Sequence, residues 1–65
     1  MATKFKIQTY NEEMTELISE RHVEFSKTEA ALIEAYDMRG NDCIIVLMRQ
    51  SISDPKCWRR IAKFY

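Results

Sequence analysis

Apolar and polar residues alternate from Lys4 to Tyr10, with Phe5, Ile7 and Thr9 on one side and Lys4, Lys6 and Gln8 on the other. A period of two is the mark of a strand with one buried face. The stretch Thr15 to Phe25 supports two readings. As a strand it places Leu17, Val23 and Phe25 on one face, with Ser19 and Arg21 diluting it. As a helix it has Asn11 as a cap, Glu12 and Glu13 in the first turn, and a stripe of Met14, Leu17, Ile18 and Arg21. The strand is preferred, because it gives Phe5–Tyr10 a hairpin partner across Asn11-Glu12-Glu13-Met14. Lys27 to Arg39 changes period. Ala31, Leu32, Ala35 and Tyr36 form a helical stripe, extended by Thr28 and by Met38 or Arg39. Ser26 stands at the N-cap, Glu29 lies at capping-box spacing, Arg39 suits the last turn, and Gly40 is placed for a left-handed C-cap.

Asp42 to Arg49 is apolar on both faces: Cys43, Ile45 and Leu47 on one, Ile44, Val46 and Met48 on the other. It reads as a buried strand. Ser51 to Lys56 is a polar loop with an Asp54-Pro55 turn. Cys57 to Tyr65 reads as a last strand. Strict alternation there sets Trp58, Arg60, Ala62 and Phe64 against Arg59, Ile61, Lys63 and Tyr65. Trp58, Ile61, Ala62 and Tyr65 also fit a terminal helix. The order predicted is β-β-α-β-β, an α+β domain of two layers over residues 1–65, with one helix on an antiparallel sheet.

With 65 residues and 46% hydrophobic content, the chain has material for one core, but a small one. A domain of this size buries about 60% of its unfolded surface and is marginal without help. A single Gly and a single Pro argue against a disordered or loop-rich chain. The longest apolar run, Cys43 to Met48, is far short of the roughly 18 residues that cross a bilayer. The N-terminal residues lack a signal-peptide plan. A cytoplasmic or nucleoid setting with reduced thiols is therefore expected. Cys43 and Cys57 fall at the starts of successive strands, so a hairpin sets them at opposite ends, beyond bridging distance.

Net charge is zero, but it is not evenly laid out. From Glu12 to Asp37 there are eight acids and two bases; the remaining segments carry eight bases and two acids. Neutralisation among neighbours is the plain outcome. A polarised surface that steers a charged partner is the functional one.

Motifs for catalysis and metal binding are missing. His22, Cys43 and Cys57 are at most three ligands at spacings that match no zinc plan, so no metal and no cofactor are expected. Any acid–base or nucleophilic scheme must run through His22, in the charged stretch Ser19 to Glu24, where no Ser or Cys is set against it. The glutamates Glu16, Glu20 and Glu24 read as a solvated face. No glycine-rich loop exists to cradle phosphate. The chain is read as non-enzymatic.

What remains is surface. Trp58, Arg59, Arg60, Lys63 and Tyr65 gather cations and rings in one strand, which suits an anionic partner. Ile44, Val46 and Met48 lie away from the helix if Cys43, Ile45 and Leu47 meet it. Left in water with two rings of the last strand, they would form a patch larger than monomers usually show. A homodimer through that face, or a partner protein, is the expected cover. In size and plainness the chain resembles the compact accessory factors and inhibitors encoded by bacteriophages and mobile elements. Binding and modulating another protein is the function expected. The alternative is a nucleic-acid-binding regulator using the basic aromatic strand, disfavoured because phosphate affinity scales with the cations presented and net charge is zero.

Overall fold

A computed structural model describes residues 2–40 and 42–65. The elements are β1 (Thr3–Asn11), β2 (Leu17–Phe25), α1 (Thr28–Asp37), β3 (Cys43–Gln50) and β4 (Trp58–Phe64). The strands form one antiparallel sheet in the order β2-β1-β3-β4. The helix carries the chain from β2 across β1 to β3 and covers one face, giving the two-layer β-β-α-β-β domain that the periodicity predicts. No helix among the described residues is long and apolar enough to cross a membrane.

The core follows from the alternation. Phe5 and Ile7 of β1 and Ile45 and Leu47 of β3 are at most 1% exposed, and they meet Ala31 and Ala35 of α1, both at 0%. Small residues four apart on the helix let its axis approach the sheet closely. Leu32, Met38, Val23, Phe25, Ala62 and Phe64 pack around this centre. Tyr36 is half exposed, but its ring meets Phe64 edge-on at 5.7 Å. Arg21 of β2 donates to Glu34 Oε1 at 3.0 Å, tying the helix to the edge of the sheet.

Both helix caps differ from the expected ones. Lys27 is the N-cap residue in extended conformation, and no side chain caps the first turn. Ser26 lies one position too early. At the other end, Met38 closes the helix in right-handed geometry (φ −81°), and Gly40 has no positive φ. Arg39 N–H donates to Tyr36 O at 3.1 Å, so a tightened last turn satisfies the end carbonyls instead. The left-handed residue comes later, at Asp42 (φ 62°), a residue type that tolerates this region better than most.

Asn11 builds a turn, not a helix. Its Oδ1 accepts from the backbone N–H groups of Thr15 at 2.8 Å and Glu16 at 3.1 Å, and its Nδ2 donates to Thr15 Oγ1 at 2.8 Å. The same side-chain acceptor that makes Asn a helix cap serves a turn equally well. Met14 completes the reversal in left-handed backbone (φ 58°).

Each edge strand holds one extra residue. On β2, Thr9 faces Ser19 and Tyr10 faces Leu17, which leaves Ile18 unpaired. On β4, Leu47 faces Ala62 and Met48 faces Arg60, which leaves Ile61 unpaired. These bulges sit on the two strands that have an open side, where they disfavour edge-to-edge pairing. They also reset which residues share a face. Leu17 is moved onto Tyr10's side, away from Val23 and Phe25.

Candidate functional site

The sheet face away from α1 is built from alternate residues of all four strands. In rows across the sheet it carries Glu24, Lys4 and Gln50 with Trp58; His22, Lys6, Met48 and Arg60; Glu20, Gln8, Val46 and Lys63. The bulge at Ile61 decides the β4 entries. Strict alternation would put Arg60 opposite Lys63. The extra residue brings them to one side, with Trp58, and leaves Arg59 on the helix side across from Arg49. The expected grouping of Arg59 with Lys63 is thus corrected.

Ile44, Val46 and Met48 lie on this face, as the alternation of β3 requires, but not as an exposed patch. Ile44 is 7% exposed and Val46 4%. Val46 is flanked by Gln8 and Lys63, Met48 by Lys6 and Arg60, and Ile44 by Tyr10. Long side chains laid along the sheet cover apolar neighbours with their stems while their heads stay in water. The Lys6 side chain is only 15% exposed for this reason. The open apolar patch expected on this face is thus largely covered within one chain.

Trp58 reaches furthest. Its ring lies 4.5 Å from Lys6 Nζ and meets the His22 ring edge-on at 5.9 Å. Lys6 belongs to β1, two strands from β4, a distance of about 9–10 Å across the sheet. The indole therefore spans β3. Beside it runs a continuous polar chain. Tyr10 Oη donates to Gln8 Oε1 at 3.0 Å, Gln8 Nε2 donates to Glu20 Oε1 at 2.9 Å, and Glu20 Oε2 stands 3.1 Å from His22 Nε2. Lys6 Nζ lies 3.8 Å from Glu20 Oε1. The Gln8 amide, then the His22 hydrogen bond, hold the Glu20 carboxyl below its ordinary value, with Lys6 adding attraction against a small desolvation cost.

Both faces of the sheet carry bases, with Arg21, Arg49 and Arg59 on the helix side. The open face presents Lys4, Lys6, Arg60 and Lys63 against Glu20 and Glu24. The helix carries Glu29, Glu34 and Asp37 and no base. Tyr65 is 77% exposed, with Lys63 Nζ 5.1 Å from its ring centroid. What the arrangement offers is a fixed cationic and aromatic surface. Among the described residues, no group of three or more His, Cys, Asp or Glu side chains is placed to hold a metal. Cys43 and Cys57 are free thiols at opposite ends of the β3–β4 hairpin.

Sequence reasoning placed Trp58, Arg60 and Lys63 in the right strand, while Tyr65 lies one residue beyond its end. It missed Lys6 as their partner, although the alternation of β1 already set Lys6 on the polar side. It also passed over Arg49, whose partner Arg59 follows only from the register. No family model, curated protein or solved structure matches the chain.

Proposed function

We propose that this domain is a non-enzymatic binding module that engages and modulates another protein through the open face of its sheet. The surface is formed by Lys6, Trp58, Arg60, Lys63 and Tyr65, and the partner offers an acidic patch. The observation that carries this reading is the side chosen by Arg60 and Lys63. One inserted residue puts both cations on the face of Lys4 and Lys6, while the acids of α1 lie on the other layer. Complementary fields of this kind raise association rates and select partners more than they add raw affinity. The small size and plain surface fit an accessory factor or inhibitor of the kind that bacteriophages and mobile elements encode. Two thiols that the hairpin holds apart fit a reducing cytoplasm.

A second reading, single-stranded nucleic acid on the same face, is favoured by rings beside cations on a sheet. It is the weaker one. Lys6 and Lys63 already occupy ring faces of Trp58 and Tyr65, and Glu20 and Glu24 would repel phosphates.

The test is affinity capture from lysate with the native chain beside an Arg60→Glu, Lys63→Glu double variant, paired with fluorescence anisotropy on labelled single strands and duplex at low and high salt. The proposal expects a partner protein released by salt and lost in the variant, with no nucleic-acid binding. Salt-sensitive anisotropy with no captured protein assigns the face to nucleic acid. Equal capture by both chains removes the face from either role.

A further inference from the structure

The bulge that gathers Arg60 and Lys63 also sends Arg59 to the opposite side of β4, where it stands directly across from Arg49. Two arginines paired across strands repel, and sheets normally avoid the arrangement or place a carboxylate nearby. Here neither guanidinium is in an ion pair among the described residues. They line a cleft of about 410 Å³ at the end of the β3–β4 hairpin, together with Gln50, Ser51, Ser53 and Trp58. No carboxylate lines it. The nearest acid in the loop, Asp54, is turned to its own turn: its Oδ1 accepts from Lys56 N–H at 3.1 Å and its Oδ2 from Cys57 Sγ at 3.3 Å. The Ser51 and Ser53 hydroxyls, 3.2 Å apart, have hydrogen-bond capacity to spare.

We infer that this cleft binds a phosphoryl oxyanion, either free phosphate or the terminal group of a small phosphate ester. An unopposed pair of guanidiniums is the donor set that such an anion takes, since each fork matches two of its oxygens. The bound anion would remove the repulsion between Arg49 and Arg59, so binding and folding are coupled. The cleft has the size of a small-molecule site. Trp58 and Ile52, the latter 83% exposed, supply apolar surface for the body of an ester. The cleft shares Trp58 with the cationic platform, but its donors Arg49 and Arg59 lie on the other side of the sheet, so it does not depend on the protein-binding reading.

Thermal melts decide it, using inorganic phosphate, phenyl phosphate and a nucleoside monophosphate, each against chloride at matched ionic strength. A ligand that binds only the folded state should raise the melting temperature saturably, by roughly 5–10 °C at about ten times its dissociation constant. Esters acting at lower concentration than inorganic phosphate assign the site to an ester; equal effects assign it to the free anion. Arg59→Gln should abolish the rise. Arg59→Glu should abolish it too, while raising the melting temperature in chloride, because it turns a repulsive pair into an attractive one. The Arg60→Glu, Lys63→Glu variant should keep the full response. No rise over chloride, or an undiminished rise in Arg59→Gln, overturns the inference.

Discussion

Lys6 holds its ammonium 4.5 Å from the centre of the Trp58 ring, and the two residues come from strands separated by the whole width of β3. The contact closes the open face of the sheet. It secures an indole over the part of β3 that carries Met48 and Gln50, which no helix covers, and it fixes one cation in the middle of the surface. Packing and charge presentation are thus joined in one pair.

That pair should be measurable. Trp58→Leu should cost about 1–3 kcal/mol, because a half-buried ring gives up its contacts across the sheet. Lys6→Met keeps the stem and removes the charge, and should cost about 0.5–1 kcal/mol. A double-mutant cycle by urea denaturation should return a coupling of similar size to the Lys6 effect. Additive costs would mean that the ring and the ammonium do not interact in solution.

The turn between β1 and β2 makes a second prediction. Asn11→Ala removes both acceptor bonds to the backbone of Thr15 and Glu16, and should cost about 1–2 kcal/mol. Met14→Gly should act in the opposite sense. A left-handed non-glycine residue carries about 1–2 kcal/mol of strain, only part of which is offset by the entropy of glycine. A gain of about 0.5–1 kcal/mol in chemical denaturation is expected from that balance. A destabilised Met14→Gly chain would place the turn in another conformation.

The strands, their order and the one helix were legible because alternation and helical period are properties of consecutive side chains. The face of a residue beyond a bulge was not. Ile18 and Ile61 look like ordinary strand residues, and nothing local marks them as insertions. One such residue reverses every assignment after it, which is why Lys63 was expected beside Arg59 and opposite Arg60. The helix ends failed for a different reason. Ser26 and Gly40 are favourable residue types near the ends, but the loops enter and leave at angles set by the sheet, so the caps form at Lys27 and Met38. Ser26→Ala should therefore change stability by less than about 0.5 kcal/mol. Gly40→Ala should be neutral or stabilising by up to about 1 kcal/mol, since its added Cβ would lie 3.5 Å from Cys43 Sγ, an ordinary contact. Thermal melts of the two variants check both.

Acid should act through Glu20. Its carboxyl titrates below the ordinary value of 4.5 in the folded chain, chiefly because Gln8 and then His22 hydrogen-bond the ionised form. A folded value below the unfolded one means that the carboxylate contributes stability above the unfolded value, and that the contribution drains away as pH falls through the folded value. Glu20→Gln should flatten the acid limb of a plot of melting temperature against pH below about 4.5 and lower the plateau near neutrality slightly. Superimposable curves for the two chains would show that the Gln8–Glu20–His22 chain does not persist in water.

Val46 gives the sharpest reading of the open face. Had this face been a bare apolar patch, Val46→Asp would leave the fold intact and would dissociate a dimer. In the structure Val46 is 4% exposed within one chain, with Gln8 and Lys63 on either side. A carboxylate there must be desolvated, and the cost is several kcal/mol unless it finds a partner. Small domains have about 5 kcal/mol or little more to lose. Val46→Asp should therefore unfold the chain, whatever its oligomeric state. Val46→Thr, of similar shape, places a hydroxyl beside Gln8 and should cost only about 1–2 kcal/mol. Circular dichroism reports the fold and sedimentation equilibrium the mass. A folded Val46→Asp chain of unchanged mass would mean that the long side chains around Val46 do not cover it, and a folded chain of halved mass would restore the dimer.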